Sequence, residues 1–283
     1  LLRKSKGKNV CAVRNASAGA NKRVIICANI DQATEYRYST GFPPAVLNIF
    51  VILYALCMFV SFILYIIYFG TGSASMSQGW TGLASVQLLG IIFYIPALFF
   101  FSYKKRIRGT AHNLSGVYAA IGIMKELSDS GYRYKDTEVV CLLTCGKNAG
   151  QKGASAYIKK HSAELNKIKT TVIVLESLCK TDELSVVVRD ECGMCRVSDE
   201  LFGVISLAAV NTGAKIKKSC VKLGSTDAAP FIHAKIDGAA IRAVGEKSRQ
   251  FYPNRFDSVK SVNTECVEAA MKTVIETINL LSE

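Results

Sequence analysis

Between Pro44 and Tyr103 this chain carries no Asp, Glu, Lys, Arg or His. That one feature limits the architecture more than any other. Within it lie two apolar runs, AVLNIFVILYALCMFVSFILYIIYFG (45–70) and WTGLASVQLLGIIFYIPALFFFSY (80–103). An α-helix rises about 1.5 Å per residue, so each run is long enough to cross a hydrocarbon core about 30 Å thick. Pro96 is placed to kink the second run near its end. A pair of buried core helices is the alternative, but helices apolar on every face rarely occur in a domain of this size. The reading is a transmembrane hairpin whose spans, about 45–70 and 80–103, are joined by the uncharged connector TGSASMSQG.

The flanks set an orientation. Residues 1–43 hold eight Lys and Arg against two acids, and the second run exits into Lys104-Lys-Arg-Ile-Arg108. Basic residues on the side of both chain ends place the bulk of an integral membrane protein in the cytoplasm and the connector outside. Trp80 and the tyrosines near the run ends suit the interfacial belts. Asn15-Ala-Ser and Asn113-Leu-Ser match the glycosylation pattern and would stay unmodified on this topology. The chain opens on LLRKSKGKN, with no initiator Met and no signal-peptide pattern, and reads as part of a longer product.

Formal net charge is +13. Nucleic acid is not the implied partner, because no basic–aromatic RNA-binding motif and no zinc-finger spacing occur. Lys215, Lys217, Lys218 and Lys222 read as a solvated face that would meet anionic lipid heads near a bilayer. Ten cysteines are scattered, several inside apolar runs such as RVIICANI, where a reduced thiol acts as a small hydrophobe. Cys192-Gly-Met-Cys195 is a lone C-x-x-C, either redox-active or half of a zinc site, with no second pair to complete it.

Outside the hairpin, strand and helix patterns alternate. KNVCAVRNA, KRVIICANI, EVVCLLT, TTVIVLES and ELSVVVRD read as strands, and IKKSCVKL with GAAIRAVG as a strand pair. NLSGVYAAIGIMKELSDSG, 154–165, SDELFGVISLAAVNTG and TECVEAAMKTVIETINLLSE read as helices. The fold class expected is α/β: a mostly parallel mixed sheet covered by helices on both faces and interrupted by the hairpin. Residues 1–43 and 104–283 would form this domain and 44–103 the insertion.

The turn after EVVCLLT reads CGKNAGQKG. Turns at strand ends are where α/β proteins keep their chemistry. This one offers Lys147, Asn148 and Ala149, with no carboxylate, nucleophile or metal ligand. It is not a phosphate-binding loop, because it ends Lys-Gly-Ala rather than Gly-Lys-Ser/Thr. Ser115 and Ser225 lack nucleophile-elbow contexts.

Six phrases, taken in order, carry a resemblance: ANIDQ (28–32), AHNLSGVYAAIGIMKEL (111–127), LLTCGKNAGQKGASAY (142–157), VIVLES (172–177), GSTDAAPFIHAKIDGAAI (224–241) and YPNRFDSVKSV (252–262). Together they resemble the zinc-dependent aminopeptidase family that includes leucyl aminopeptidase, glutamate carboxypeptidase, transferrin receptor and nicastrin. The resemblance implies a fold that holds two zinc ions on five ligands, with a carboxylate activating a bridging water. Carried across, the first His falls on Asn29, with Asp31 retained two positions later. The bridging Asp falls on His112, before Asn113. The general base falls on Asn148 and the next ligand on Ala149, in a loop one residue shorter. Glu176 is the retained ligand, and the last His falls on Pro253, with Asn254 beside it. Asp227 lies in the segment that more often orders a loop than binds metal.

Alanine and proline offer no side-chain lone pair, and a neutral amide is a poor base near pH 7. No catalytic residue and no metal are therefore expected in this cleft; any retained metal would sit on His112 and Glu176. The expected function is a membrane-anchored, catalytically inactive peptidase-like module. It would bind a peptide in the cleft or scaffold other membrane subunits, with Gly79, Gly82, Ala84, Ser85 and Gly90 allowing a neighbouring helix to approach. The alternative is a zinc metallo-aminopeptidase with ligands redrawn from His112, Glu176, Asp31, Asp227 and His233. His233 itself reads more simply as a satisfied core or surface histidine.

Overall fold

The computed structural model describes residues 6–31, 34–36, 44–70, 101–106, 113–221, 224–245, 257–258 and 262–283. They fall into two compact units, 1–33 with 107–283, and 34–106.

The larger unit is built on an eight-stranded sheet. Its strands are β1 (Val10–Arg14), β2 (Lys22–Asn29), β5 (Thr137–Thr144), β6 (Lys169–Leu178), β7 (Leu184–Asp190), β8 (Cys195–Arg196), β9 (Lys217–Cys220) and β10 (Asp237–Ala243). They lie in the order β1-β5-β2-β6-β10-β7-β8, with β9 on β7. The four central strands are mutually parallel, whereas β1, β7 and β8 join antiparallel. The sheet is therefore mixed more evenly than the alternation implies. IKKSCVKL and GAAIRAVG are not a pair either: β9 and β10 both bond to β7. A strand-to-strand step in sequence does not specify adjacency, and here a turn and a helix intervene.

Continuous apolar runs mark strands buried on both faces. Val24 to Asn29 in β2 are all buried, as is β6 after its first residue. One face carries α2 (Ser115–Asp129), α4 (Asp199–Asn211) and α6 (Thr264–Ser282). Ile123 and Leu127 of α2, Leu201 and Ile205 of α4, and Ala270, Val274 and Ile278 of α6 meet Val24, Ile26 and Ile173 there. The spacing of three or four residues is the helical repeat that keeps one stripe inward. The other face packs α3 (Lys152–Lys167) and α5 (Ala229–His233), through Ala154, Leu165 and Phe231, on Ile25, Cys27 and Leu142. Each fully buried Ile or Leu contributes about 1.5–3 kcal/mol.

In the smaller unit, α1 (Pro44–Gly70) follows β3 (Thr34–Tyr36), which pairs antiparallel with β4 (Phe101–Arg106). The first apolar run is thus helical over 27 residues. Ile52, Leu56, Phe59, Phe62 and Ile66 are all more than half exposed, while Leu53, Cys57, Ser61 and Leu64 form one half-covered stripe. Side chains within α1 are described only for Ile49 and residues 52–67, and among the described residues no helix is long and apolar enough to cross a membrane. The connector and most of the second run lie outside the described residues. Its last three residues, Phe101 to Tyr103, correct the expected helical span of 80–103: they are strand, joined to the basic exit and hydrogen-bonded to 34–36. Aromatic residues favour a pleated ladder when a partner strand is at hand.

Candidate functional site

The C-terminal ends of β2, β5 and β6 bring Asn29, Thr144 and Glu176 side by side, since Asn29 registers with Thr144 and Ala28 with Leu175. Parallel sheets place ligand sites at this edge. The segments that leave the three strands then converge. The Asn29 side-chain oxygen accepts from the Asp31 amide at 2.8 Å, and the Asp31 carboxylate accepts from the Gly146 amide at 2.9 Å. Buried Asn113 donates its amide to the Asp31 carbonyl.

The Asn113-Leu-Ser-Gly116 phrase has a structural purpose here. Ser115 Oγ accepts from the Leu178 amide at 3.0 Å, and a Cβ on Gly116 would come within 2.1 Å of the Leu175 carbonyl oxygen. Only glycine lets α2 pack that closely on β6.

The glycines of CGKNAGQKG likewise answer to the backbone. Gly146 and Gly150 adopt left-handed φ values of 75° and 86°, and a Cβ on Gly153 would meet the Cys145 carbonyl oxygen at 2.1 Å. Between them Lys147–Ala149 form a single tight turn. Asn148 and Ala149, which the resemblance places at the base and ligand positions, are exposed. Lys147 is buried instead, and its ammonium pairs with the Glu176 carboxylate. Sequence reasoning gave Lys147 no role. The available signal was the loop length: a turn one residue shorter changes which side chain faces β6.

Asp227 lies 1% exposed in the turn before α5 and accepts from the Thr144 hydroxyl at 2.5 Å. Burial pushes its carboxyl above the usual value of 3.8; the Lys147 ammonium and the Thr144 hydrogen bond oppose this, and the Glu176 and Asp31 charges reinforce it. Among the described residues, three buried polar atoms at this strand edge have no hydrogen-bond partner: Asn29 Nδ2, Asn113 Oδ1 and Asp227 Oδ1. His112, Pro253 and Asn254 lie outside the described residues.

Residues 102–278 match the sequence profile of peptidase family M28. The chain belongs to that family. Its fold is similar to BSAP, a zinc aminopeptidase from Bacillus subtilis, at a TM-score of 0.58 and 15% identity, covering 95% of this chain and 49% of that one. It is similar to the LapA aminopeptidase of Legionella pneumophila at a TM-score of 0.54 and 14% identity, over 65% of this chain and 50% of that one. A Zn-dependent exopeptidase from Parabacteroides distasonis gives 0.58 and 13%, over 95% and 76%. The chain spans about half the length of the first two. At these identities the likeness is one of fold. No curated protein matches the chain.

The described residues do not fit the pair of zinc ions that the family resemblance implies. Zinc takes thiolate, imidazole or carboxylate donors. Asn29 offers an amide whose oxygen is already engaged, and its unpartnered buried atom is the nitrogen, which has no lone pair to give. Ala149 offers nothing, and Asn148 is out in solvent. Glu176, the retained carboxylate, holds an ammonium.

Proposed function

We propose that this M28 chain is a membrane-anchored peptidase-like protein without hydrolytic activity in its family cleft, acting as a binding or scaffold module in a membrane complex. The observation that carries this reading is the buried Lys147–Glu176 pair. An ammonium beside the surviving ligand supplies the positive charge that the carboxylates of the hollow need. It also opposes a metal. At about 4 Å and an effective dielectric of about 20, an ammonium repels a divalent ion by about 8 kcal/mol. The cluster of Asp31, Glu176 and Asp227 still stands at this strand edge, beside buried polar atoms that have no partner among the described residues. A peptide amine and its neighbouring amides are the ligand chemistry it suits.

Anchoring is supported by the uncharged stretch from Pro44 to Tyr103 and by the exposed apolar side chains of α1. The basic flanks support a cytoplasmic location for the bulk of the chain. Lipid bilayer and other membrane subunits are then the partners.

The test is hydrolysis of aminoacyl nitroanilides by the purified chain with added zinc. No turnover above that of Glu176→Gln is expected. Turnover that disappears in Glu176→Gln would refute the reading and favour a peptidase with redrawn ligands.

A further inference from the structure

A second cluster lies outside the family cleft. Glu191 sits on the turn that joins β7 to β8, Cys195 opens β8, and His233 ends α5. Cys195 Sγ is 3.3 Å from Glu191 Oε2 and 3.3 Å from His233 Nε2, and those two atoms also touch each other. These three are the one group of His, Cys, Asp or Glu side chains among the described residues whose ligand atoms converge in this way.

A catalytic Cys–His relay is one reading, and the geometry is against it. In a relay the imidazole receives the nucleophile's proton on one nitrogen and is oriented through the other. Here thiol and carboxylate crowd the same nitrogen, Nε2, so nothing is passed along. Three donors facing a common point is the arrangement a shared cation needs. Tetrahedral zinc, with bonds of about 2.0–2.3 Å, sets neighbouring S, N and O donors about 3.4–3.6 Å apart. The two thiol distances fall a few tenths of an ångström short of that.

The surroundings hold these ligands in place. Buried Asp190 accepts from the Glu191 amide at 2.7 Å and from the Thr226 amide at 3.0 Å, and it also binds the Thr226 hydroxyl. One carboxylate thus ties the Glu191–Cys195 turn to the segment leading into His233, as outer residues do for metal ligands. Glu191 and Cys192 adopt left-handed φ values of 47° and 56°, followed by Gly193 at 91°. Non-glycine residues take up such a conformation where their surroundings enforce it, and such strain collects at sites. Cys192 Sγ turns toward the Gly224 carbonyl, 3.9 Å away. Glu191 and His233 also line an adjoining groove of about 480 Å³, together with Gln151, Ser155 and Lys159.

We propose that Glu191, Cys195 and His233 form a zinc site, with water in the fourth position, separate from the family's own metal cleft. Mixed thiolate, imidazole and carboxylate donors in tetrahedral array select zinc among the common divalent ions. On binding, Cys195 gives its proton to solvent and becomes the thiolate ligand.

The test uses Co²⁺, which reports thiolate ligation by its charge-transfer absorption, titrated into the purified, chelator-treated and reduced full chain. One equivalent is expected to bind with that band and to be displaced by Zn²⁺. Losing an outer residue costs metal sites about 10–100-fold. His233→Ala, which removes a direct ligand, is thus expected to weaken binding by about a hundredfold or more and to abolish the band. Its side chain is 59% exposed, so the fold should survive, as an unchanged circular dichroism spectrum would verify. Glu176→Gln, its fold verified by the same spectrum, is expected to leave the band intact. A wild-type chain without the band, or a band that survives in His233→Ala, overturns the proposal. A band lost in Glu176→Gln but kept in His233→Ala would put the ion in the family cleft and refute the pseudopeptidase reading as well.

Discussion

Replacing Lys147 with Met tests the centre of the cleft. The change keeps the stem but deletes the ammonium, leaving Glu176 buried without its ion-pair partner and close to Asp227, which is itself buried. Removing one member of a buried pair typically costs about 3–5 kcal/mol. A second route gives a similar figure. The cheapest escape is for the stranded carboxyl to take up a proton. For an ordinary glutamate with a pKa of about 4.3, this costs about 3.7 kcal/mol at pH 7 and about 1 kcal/mol at pH 5. The sign follows from linkage. In the variant a carboxyl is held protonated in the folded state, so stability is intact below the unfolded pKa and is lost as pH rises. Thermal and urea unfolding at both pH values read this out. A domain of this size loses about 2–4 °C per kcal/mol, so Tm should fall by about 7–15 °C at pH 7 and by about 2–4 °C at pH 5. A loss below about 1 kcal/mol at pH 7, or one that does not shrink in acid, would mean that Lys147 does not neutralise Glu176. The proposed function would then lose its main support.

Asp227→Asn should flatten the pH dependence. Because the wild-type carboxyl is raised in the folded state, its contribution to stability is undiminished below about 3.8 and is eroded as pH climbs through the raised value. The amide variant should lack that erosion in unfolding curves taken between pH 4 and 7. Gly116→Ala should destabilise by about 3 kcal/mol or more, since its methyl group meets the Leu175 backbone rather than a movable side chain. Chemical denaturation would reveal it, and a loss under about 1 kcal/mol would contradict the close packing of α2 on β6. The expressed chain should sediment with membranes and remain there after an alkaline carbonate wash. Release by that wash would remove the anchored half of the proposed function.

Much of the scaffold was legible in the residue pattern, and the cleft only in part. VIICA, VVCLL and VIVL are apolar without interruption, and runs so short and rich in β-branched residues read as strands buried on both faces. Asn29 and Glu176 lie near the ends of β2 and β6, and Asn113 and Asp227 lie just before α2 and α5. What the pattern assigned wrongly was the loop. It put Asn148 and Ala149 in the cleft, where the structure puts Lys147. A shortened turn with left-handed glycines rotates its side chains by an amount that linear alignment does not contain.

Local chemistry thus decided most of the strands and helices, Phe101–Tyr103 excepted, because burial periodicity and backbone propensity act over a few residues and are written in order along the chain. Tertiary structure alone decided the pairings. Lys147 reaches Glu176 across 29 positions, and Cys195 reaches His233 across 38. Neither separation has a periodicity to read. These side chains meet because the packed sheet sets where its strand ends and turns lie, and electrostatics and ligand geometry then depend on distances of a few ångströms.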